Sequence, residues 1–326
     1  MKRQRTSALS RPLVVAALAC VACLLWGSAV PVTRIGFSLF SIGTDDTGGQ
    51  LLFAGTRFML AGTCVLVAWA LLAHRRGELR PPHVRDLRAA AVVSLFQTVG
   101  QYLLYYIGLA HSTGVTGSIV QGVGVFVSLL ASCLLFRMER LTGQKVAGCL
   151  VGFAGLIVAD LASLTSGAGF TFMGEGLVML SAVCTAMAGP FVRRYSARTN
   201  PVLMCGLQFV MGGAVLACIG AAAGGTFSVD GPTQAVTLAW LVMVSAVAYS
   251  LWSVLLAHND VSHVTVFGFM TPVFGVILSL LLLGDEGHPQ GIATAISLVL
   301  VCIGIVMVSR TPETDDASGE EDAGRD

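Results

Sequence analysis

The sequence predicts an all-α integral membrane protein with ten transmembrane helices in two inverted five-helix repeats. The prediction depends on the composition, the placement of basic residues and one internal repeat. Of the 326 residues, 55% are hydrophobic and only 11% are charged, whereas soluble domains carry about 25% charged residues. Because such a chain cannot cover itself with polar side chains, we expect it to be surrounded by lipid. The net charge of +1 gives no indication of a nucleic-acid partner.

Apolar stretches of spanning length define the helices. A transmembrane helix needs about 20 apolar residues, and this criterion predicts ten spans: 12–38, 51–73, 87–108, 113–136, 144–162, 175–195, 202–223, 236–257, 263–284 and 290–309. Residues 1–11 form a basic N-terminal segment, and the first apolar run is too long for a cleaved signal peptide. Residues 310–326 are rich in Asp, Glu, Ser and Gly, so we expect a disordered acidic tail.

Basic residues fix the predicted orientation. With the N-terminus in the cytoplasm, all but two of the 19 Lys and Arg residues fall on inner segments, and the outer loops carry acidic residues instead. The two exceptions, Arg34 and Arg57, lie within predicted helices. This asymmetry is the one that the positive-inside rule requires. It predicts a multi-pass protein of the cell membrane with both termini in the cytoplasm.

One segment of the chain occurs twice. Residues Tyr102 to Glu139 align without a gap on Tyr249 to Glu286, 147 positions later, with nine identities in 38 positions. Identical Tyr, His and Glu residues in fixed register carry more weight than the matching leucines. Five helices per half is an odd number, so the halves, 12–162 and 175–309, are predicted to be inverted. Inverted repeats allow the same contacts to close either side, which is the basis of alternating access.

The chain resembles a known transporter family. Helix one carries Leu-Leu-Trp-Gly-Ser at Leu24 to Ser28, helix two carries Thr-Arg-Phe at Thr56 to Phe58, and Pro272 interrupts helix nine. With the repeated Tyr, Leu-Ala-His and Glu positions, these motifs resemble the EamA family of the drug/metabolite transporter superfamily. The resemblance implies ten helices in two inverted repeats and secondary transport. The chain departs from the family pattern at Val125, which aligns with Pro272, and at Gly287-His288-Pro289, where a basic residue is usual.

Arg57 lies about 9 Å into the membrane if each residue rises about 1.5 Å. A charge within the bilayer is costly and therefore needs a reason. The side chain either extends outward to headgroups or to Asp45 or Asp46, or it faces a cavity and binds an anionic group. The sequence leaves both interpretations open.

Helix three carries a polar line. Gln97, Gln101 and Tyr105 are spaced four residues apart, which places them on one helical face. Glutamines facing lipid would lack hydrogen-bond partners, so we expect this face to point inward. It either joins neighbouring helices or binds substrate, and Gln121 and Gln208 have the same two interpretations.

Aromatic residues offer an apolar wall for an organic ligand. Trp26, Tyr249 and Trp252 could form it, although aromatic belts at the membrane interface are a common alternative. The predicted substrate-binding set is Trp26, Arg57, Gln97, Gln101, Tyr105, Gln121, Tyr249 and Trp252. Pro272 is predicted to let helix nine bend during gating.

The functional hypothesis is a transporter that exports a small metabolite such as an amino acid. Its partners are a small-molecule substrate and the lipid bilayer; its oligomeric state stays open. A passive channel and an intramembrane enzyme are the alternatives. The sequence contains no nucleotide-binding, nucleophile or metal motif, and the nine cysteines lie in apolar runs. We therefore expect no cofactor, no metal and no catalytic site.

Overall fold

A computed structural model describes residues 8–43, 45–110, 124–125, 127–159, 172–283 and 291–310. These residues form helices and connecting turns, without a strand among them. The α-helices are α1 (Pro12–Leu39), α2 (Thr47–Arg75), α3 (Val84–Ser94), α4 (Gln101–Ala110), α5 (Gly143–Ala159), α6 (Leu177–Ser196), α7 (Pro201–Ala222), α8 (Pro232–His258), α9 (Val261–Thr265), α10 (Met270–Leu283) and α11 (Gly291–Ser309). A π-helical turn, Leu95–Gly100, joins α3 to α4, and two more occur at Ala131–Leu135 and Phe172–Gly176.

Six helical stretches in the described residues are long and apolar enough to cross a membrane. They coincide with six of the predicted spans: α1, α2, the continuous stretch through α3 and α4, the stretch ending in α6, α7, and α8. The shorter helices α5, α10 and α11 lie where further spans were predicted. The predicted span 113–136 lies partly outside the described residues. The all-α membrane architecture is therefore confirmed, and the total of ten spans stays a prediction.

Local sequence signals start the long helices. Pro12, Pro201 and Pro232 occupy the first helical turn of α1, α7 and α8, where proline's missing N–H has no cost. Asp46 caps α2 by accepting a hydrogen bond of 2.7 Å from the N–H of Gly49. Asn200 caps α7 in the same way.

Helix α2 has two faces that differ in side-chain size. Leu60, Val67 and Leu71 are exposed, as expected for side chains that face lipid. The opposite face carries Gly55 and Gly62, both buried. Small residues let helix backbones approach closely in a membrane, so this face is the one that packs.

The glycine face of α2 packs against α7. A Cβ atom on Gly62 would lie 2.7 Å from the carbonyl oxygen of Gly206, and one on Gly213 would lie 2.7 Å from that of Gly55. Later residues of α2 thus contact earlier residues of α7, so the helices run antiparallel. The two helices belong to different predicted repeats, and their crossing holds the halves together.

Helices α5 and α11 form a second pair between the halves. A Cβ atom on Gly148 would lie 2.9 Å from the carbonyl oxygen of Gly304. Gln144 Nε2 donates to the carbonyl oxygen of Met307 at 2.8 Å. This pair is also antiparallel. Both crossings connect corresponding helices of the two predicted repeats.

The predicted ninth span is not one regular helix. It consists of α9, a 3₁₀ turn at Val266–Phe269, and α10. Pro272 is the third residue of α10 and has no N–H to donate to the carbonyl of Gly268, so a continuous α-helical ladder is impossible there.

Candidate functional site

An aromatic cluster lies inside the bundle, where five helices, α1, α2, α4, α7 and α8, meet. Its members are Trp26, Phe58, Tyr102, Phe209, Tyr249 and Trp252. Trp26 of α1 packs edge-on against Tyr249 and Trp252 of α8, with ring centroids 4.9 Å apart in both pairs. Tyr249 and Trp252 are buried and Trp26 is half-buried. The indole Nε1 of Trp26 is buried and has no hydrogen-bond partner. The three predicted aromatic residues therefore meet, and they leave one hydrogen-bond donor unused.

Arg57 lies next to this cluster. It is only 5% exposed, and its Cζ lies 4.5 Å from the ring centroid of Phe58 and 5.7 Å from that of Tyr102. The rings supply cation–π stabilisation, but the buried Nε has no hydrogen-bond partner. None of the ion pairs among the described residues includes Arg57, and Asp46 caps α2 instead. The guanidinium is therefore held inside the bundle and does not extend to the surface.

Two tyrosines lie between Arg57 and Trp26: the ring of Tyr102 contacts Arg57, and the ring of Tyr249 contacts Trp26. Tyr102 and Tyr249 share a hydrogen bond of 3.1 Å. Their separation of 147 positions is the spacing of the sequence repeat, so each contacts its own counterpart. A residue that contacts its own counterpart lies beside the two-fold axis that relates the copies.

Helices α2 and α7 show the same relation. Phe58 and Phe209 stack with centroids 5.0 Å apart and an interplanar angle of 27°. Adding the 151 positions that separate these two residues takes Gly55 to Gly206 and Gly62 to Gly213. The packed pair Gly55–Gly213 therefore corresponds to the packed pair Gly62–Gly206. The residue before each phenylalanine also corresponds: Arg57 in the first copy and Gln208 in the second. The axis thus passes through the aromatic cluster, with a cation on one side and an amide on the other.

The three polar residues of helix three contact different neighbours. Gln97 lies in the π-helical turn, and its Oε1 accepts from Gln208 Nε2 at 3.4 Å. Gln208 Oε1 accepts from Thr98 Oγ1 at 2.7 Å. Tyr105 packs against Val178 and Ala182 of the neighbouring α6. Gln97 thus bonds across to α7, and the interpretation of this residue as part of a substrate site stays a prediction.

Gln101 is half-buried, and its Oε1 is buried without a hydrogen-bond partner. It lies next to Tyr102 in the chain. This oxygen is an unused acceptor on the helix that also carries Tyr102, in contrast to the amide of Gln97.

Two predicted residues cannot be placed by their side chains. Gln121 lies outside the described residues, and Pro272 is described only by its position in α10. Conversely, sequence reasoning did not assign Tyr102, Phe58 or Phe209 to the site. The identical register of Tyr102 and Tyr249 in the internal repeat was a usable signal for the first of them.

The described residues contain no group of three or more His, Cys, Asp or Glu side chains that could hold a metal ion. Cys23 of α1 donates from Sγ to the carbonyl oxygen of Phe267 at 3.2 Å and is buried. It therefore acts as a packing residue between α1 and the 3₁₀ turn.

Comparison with known proteins gives relatives along nearly the full chain. An uncharacterized transporter, YvbV, of Bacillus subtilis is 23% identical over 90% of this chain and 91% of its own. The uncharacterized inner membrane transporter YedA of Escherichia coli is 26% identical over 88% and 87%. A protein of Streptantibioticus cattleyicolor named probable terminal-alkyne amino-acid exporter is 23% identical over 87% and 90%.

A solved crystal structure shares the fold, with a TM-score of 0.70 at 20% identity, covering 91% of this chain and 98% of its own. The model of the EamA-like transporter family matches the chain twice, over residues 13–159 and 172–310. Because these two matches together cover most of the sequence, the protein belongs to the EamA-like transporter family.

Proposed function

We propose that this protein is a secondary transporter that exports a small organic solute carrying one anionic group and an apolar part, such as an amino acid. The observation that carries the proposal is Arg57, a buried cation with an unused N–H beside an aromatic cluster on the axis between the copies. The substrate would bind there, and the two copies would rock about it.

The charge of the site favours an anionic group on the substrate. An isolated buried cation is costly, and two aromatic rings offset only part of that cost. A substrate carboxylate would accept hydrogen bonds from the guanidinium and balance its positive charge. Gln208, the counterpart of Arg57, is neutral and already bonded to Thr98 and Gln97. Among the described residues of this cluster, Arg57 is a cation whose counterpart carries no charge, and this favours a single anionic group on the substrate.

The remaining unused groups fit an amino acid. Trp26 Nε1 is a buried donor and Gln101 Oε1 a buried acceptor, both without partners. The donor suits a carboxylate oxygen, and the acceptor suits an ammonium group. Trp26, Tyr249 and Trp252 offer rings to an apolar side chain. The relative named probable terminal-alkyne amino-acid exporter supports this assignment.

A ligand screen followed by transport tests the proposal. Purified protein would be heated with each proteinogenic amino acid and with simple organic acids, because a ligand stabilises the state that binds it. A stabilising compound would then be assayed for counterflow in liposomes.

Arg57→Ala should abolish saturable uptake, whereas Arg75→Ala, which removes an exposed arginine at the end of the same helix, should not. Wild-type uptake by Arg57→Ala would remove Arg57 from the site. Flux that neither saturates nor shows counterflow would indicate a passive channel instead.

A further inference from the structure

Glu139 carries a buried carboxylate and is not part of the aromatic cluster. Its side chain is 1% exposed and that of its partner Lys145 is 6% exposed, with Lys145 Nζ 2.8 Å from Glu139 Oε2. Glu139 Oε1 accepts from the backbone N–H of Ser262 at 3.0 Å. Ser262 Oγ also donates to Glu139 Oε2. The carboxylate is thus held by three donors from two parts of the chain.

Ser262 is the second residue of α9, where backbone N–H groups have no partner within the helix. Asp260, which precedes the helix, does not cap it with its side chain. Asp260 pairs with Arg193 of α6 at 2.9 Å instead. Glu139, 123 positions away in the sequence, therefore caps the N-terminus of α9 in place of Asp260.

This network joins the two copies of the family fold. Glu139 and Lys145 lie in the first matched segment, and Ser262 lies in the second. Helix α9 continues through the 3₁₀ turn into α10, the helix that carries Pro272. We propose that Glu139, Lys145 and Ser262 form a latch that holds the start of α9 against the first copy and must break before the cytoplasmic side opens. The proposal rests on alternating access in the proposed function and on the predicted orientation.

The sequence repeat carries over only part of this set. Adding 147 positions takes Glu139 to Glu286, whereas subtracting 147 from Ser262 gives Val115, which has no hydroxyl. The set as a whole therefore belongs to the segments around Glu139 and Ser262.

The chemical labelling of buried native cysteines measures whether α9 has moved. Cys133 and Cys149 are 7% and 1% exposed and pack in the same buried core as Val261 and Val264 of α9. When α9 moves away, Cys133 should become accessible to a membrane-impermeant methanethiosulfonate reagent. Labelling would be measured separately on inside-out and right-side-out vesicles, and peptide mass spectrometry would assign it to each cysteine.

Lys145→Met should raise the labelling rate of Cys133 from the cytoplasmic face about tenfold, which corresponds to about 1.4 kcal/mol. Ser262→Ala keeps the ion pair and removes one donor, so its rate should rise about threefold. If Lys145→Met does not fold, the Cys133 labelling rate of Ser262→Ala still tests the latch.

Arg80→Met is the matched control. Arg80 pairs with the buried Asp86 at 2.9 Å, with the same six-residue separation. Asp86 also accepts from Thr199 Oγ1 of the second copy at 2.9 Å, so this network joins the copies without involving α9, and Arg80→Met leaves the bond from Thr199 in place. Its Cys133 rate should stay at the wild-type value. An unchanged rate in Lys145→Met and Ser262→Ala would overturn the latch. So would an equal rise in Arg80→Met, a rise from both faces, or a rise from the opposite face only. Labelling needs no substrate, so its failure would leave the transport proposal standing, and a failed transport assay would leave the labelling result interpretable.

Discussion

Replacing Arg57 by methionine should make the substrate-free protein more stable while removing its function. Placing an arginine in the membrane interior costs about 2.5–3.5 kcal/mol. Contacts with the rings of Phe58 and Tyr102, at 4.5 and 5.7 Å, return about 1–2 kcal/mol. The difference, about 0.5–2.5 kcal/mol, is the expected gain for Arg57→Met, because methionine fills a similar apolar volume without charge. This is the trade between stability and activity that binding sites commonly show.

The assay is thermal unfolding in detergent, with size-exclusion chromatography to confirm that each variant is monodisperse. A gain of this size should raise the Tm by about 1–4 °C. Arg57→Lys is the control, because it retains the charge but loses the planar fork, and it should show no gain. A Tm below that of the wild type for Arg57→Met would refute the reasoning. It would mean that the guanidinium is already compensated and has a structural role.

Three further predictions concern packing, the axis and pH. Gly55→Ala should lower the unfolding free energy by about 1–3 kcal/mol, because its Cβ would lie 2.6 Å from the carbonyl oxygen of Gly213. Gly143→Ala is the control: its Cβ would have nothing within 4 Å, so the change should be less than about 0.5 kcal/mol. Similar losses of unfolding free energy in both variants would contradict the close crossing of α2 and α7. A double-mutant cycle of Tyr102→Phe and Tyr249→Phe should give a coupling energy of about 0.5–1.5 kcal/mol, and independent effects would show that the hydroxyls do not bond. Burial raises the pKa of Glu139, but hydrogen bonds and charge from Lys145 and Ser262 outweigh it and hold the pKa below its ordinary value of 4.5. The stabilisation is therefore complete above pH 4.5 and lost as the pH falls through the lowered pKa. The Tm of the wild type should fall more steeply below about pH 4 than that of Glu139→Gln; parallel profiles would contradict this.

Hydrophobicity and repetition in the sequence determined the class of this protein. Six predicted spans match helices that are long enough to cross a membrane, because the transfer of a helix into lipid depends on the composition of that segment alone. The register of Tyr102 and Tyr249 indicated two related halves. Arg57 was recognisable as a candidate because a charge inside an apolar run is rare.

Only the tertiary structure decided which side chains meet. The spacing of Gln97, Gln101 and Tyr105 predicted one shared face, but it did not indicate that Gln97 bonds to Gln208 while Tyr105 packs on α6. It also gave no sign of the π-helical turn at Leu95–Gly100. Likewise, the internal repeat marked Glu139 by its register with Glu286, but it did not indicate that Ser262, 123 positions away, donates to its carboxylate. Contacts of this kind depend on how each helix is rotated and where it crosses its neighbours, and those are set by packing between distant segments.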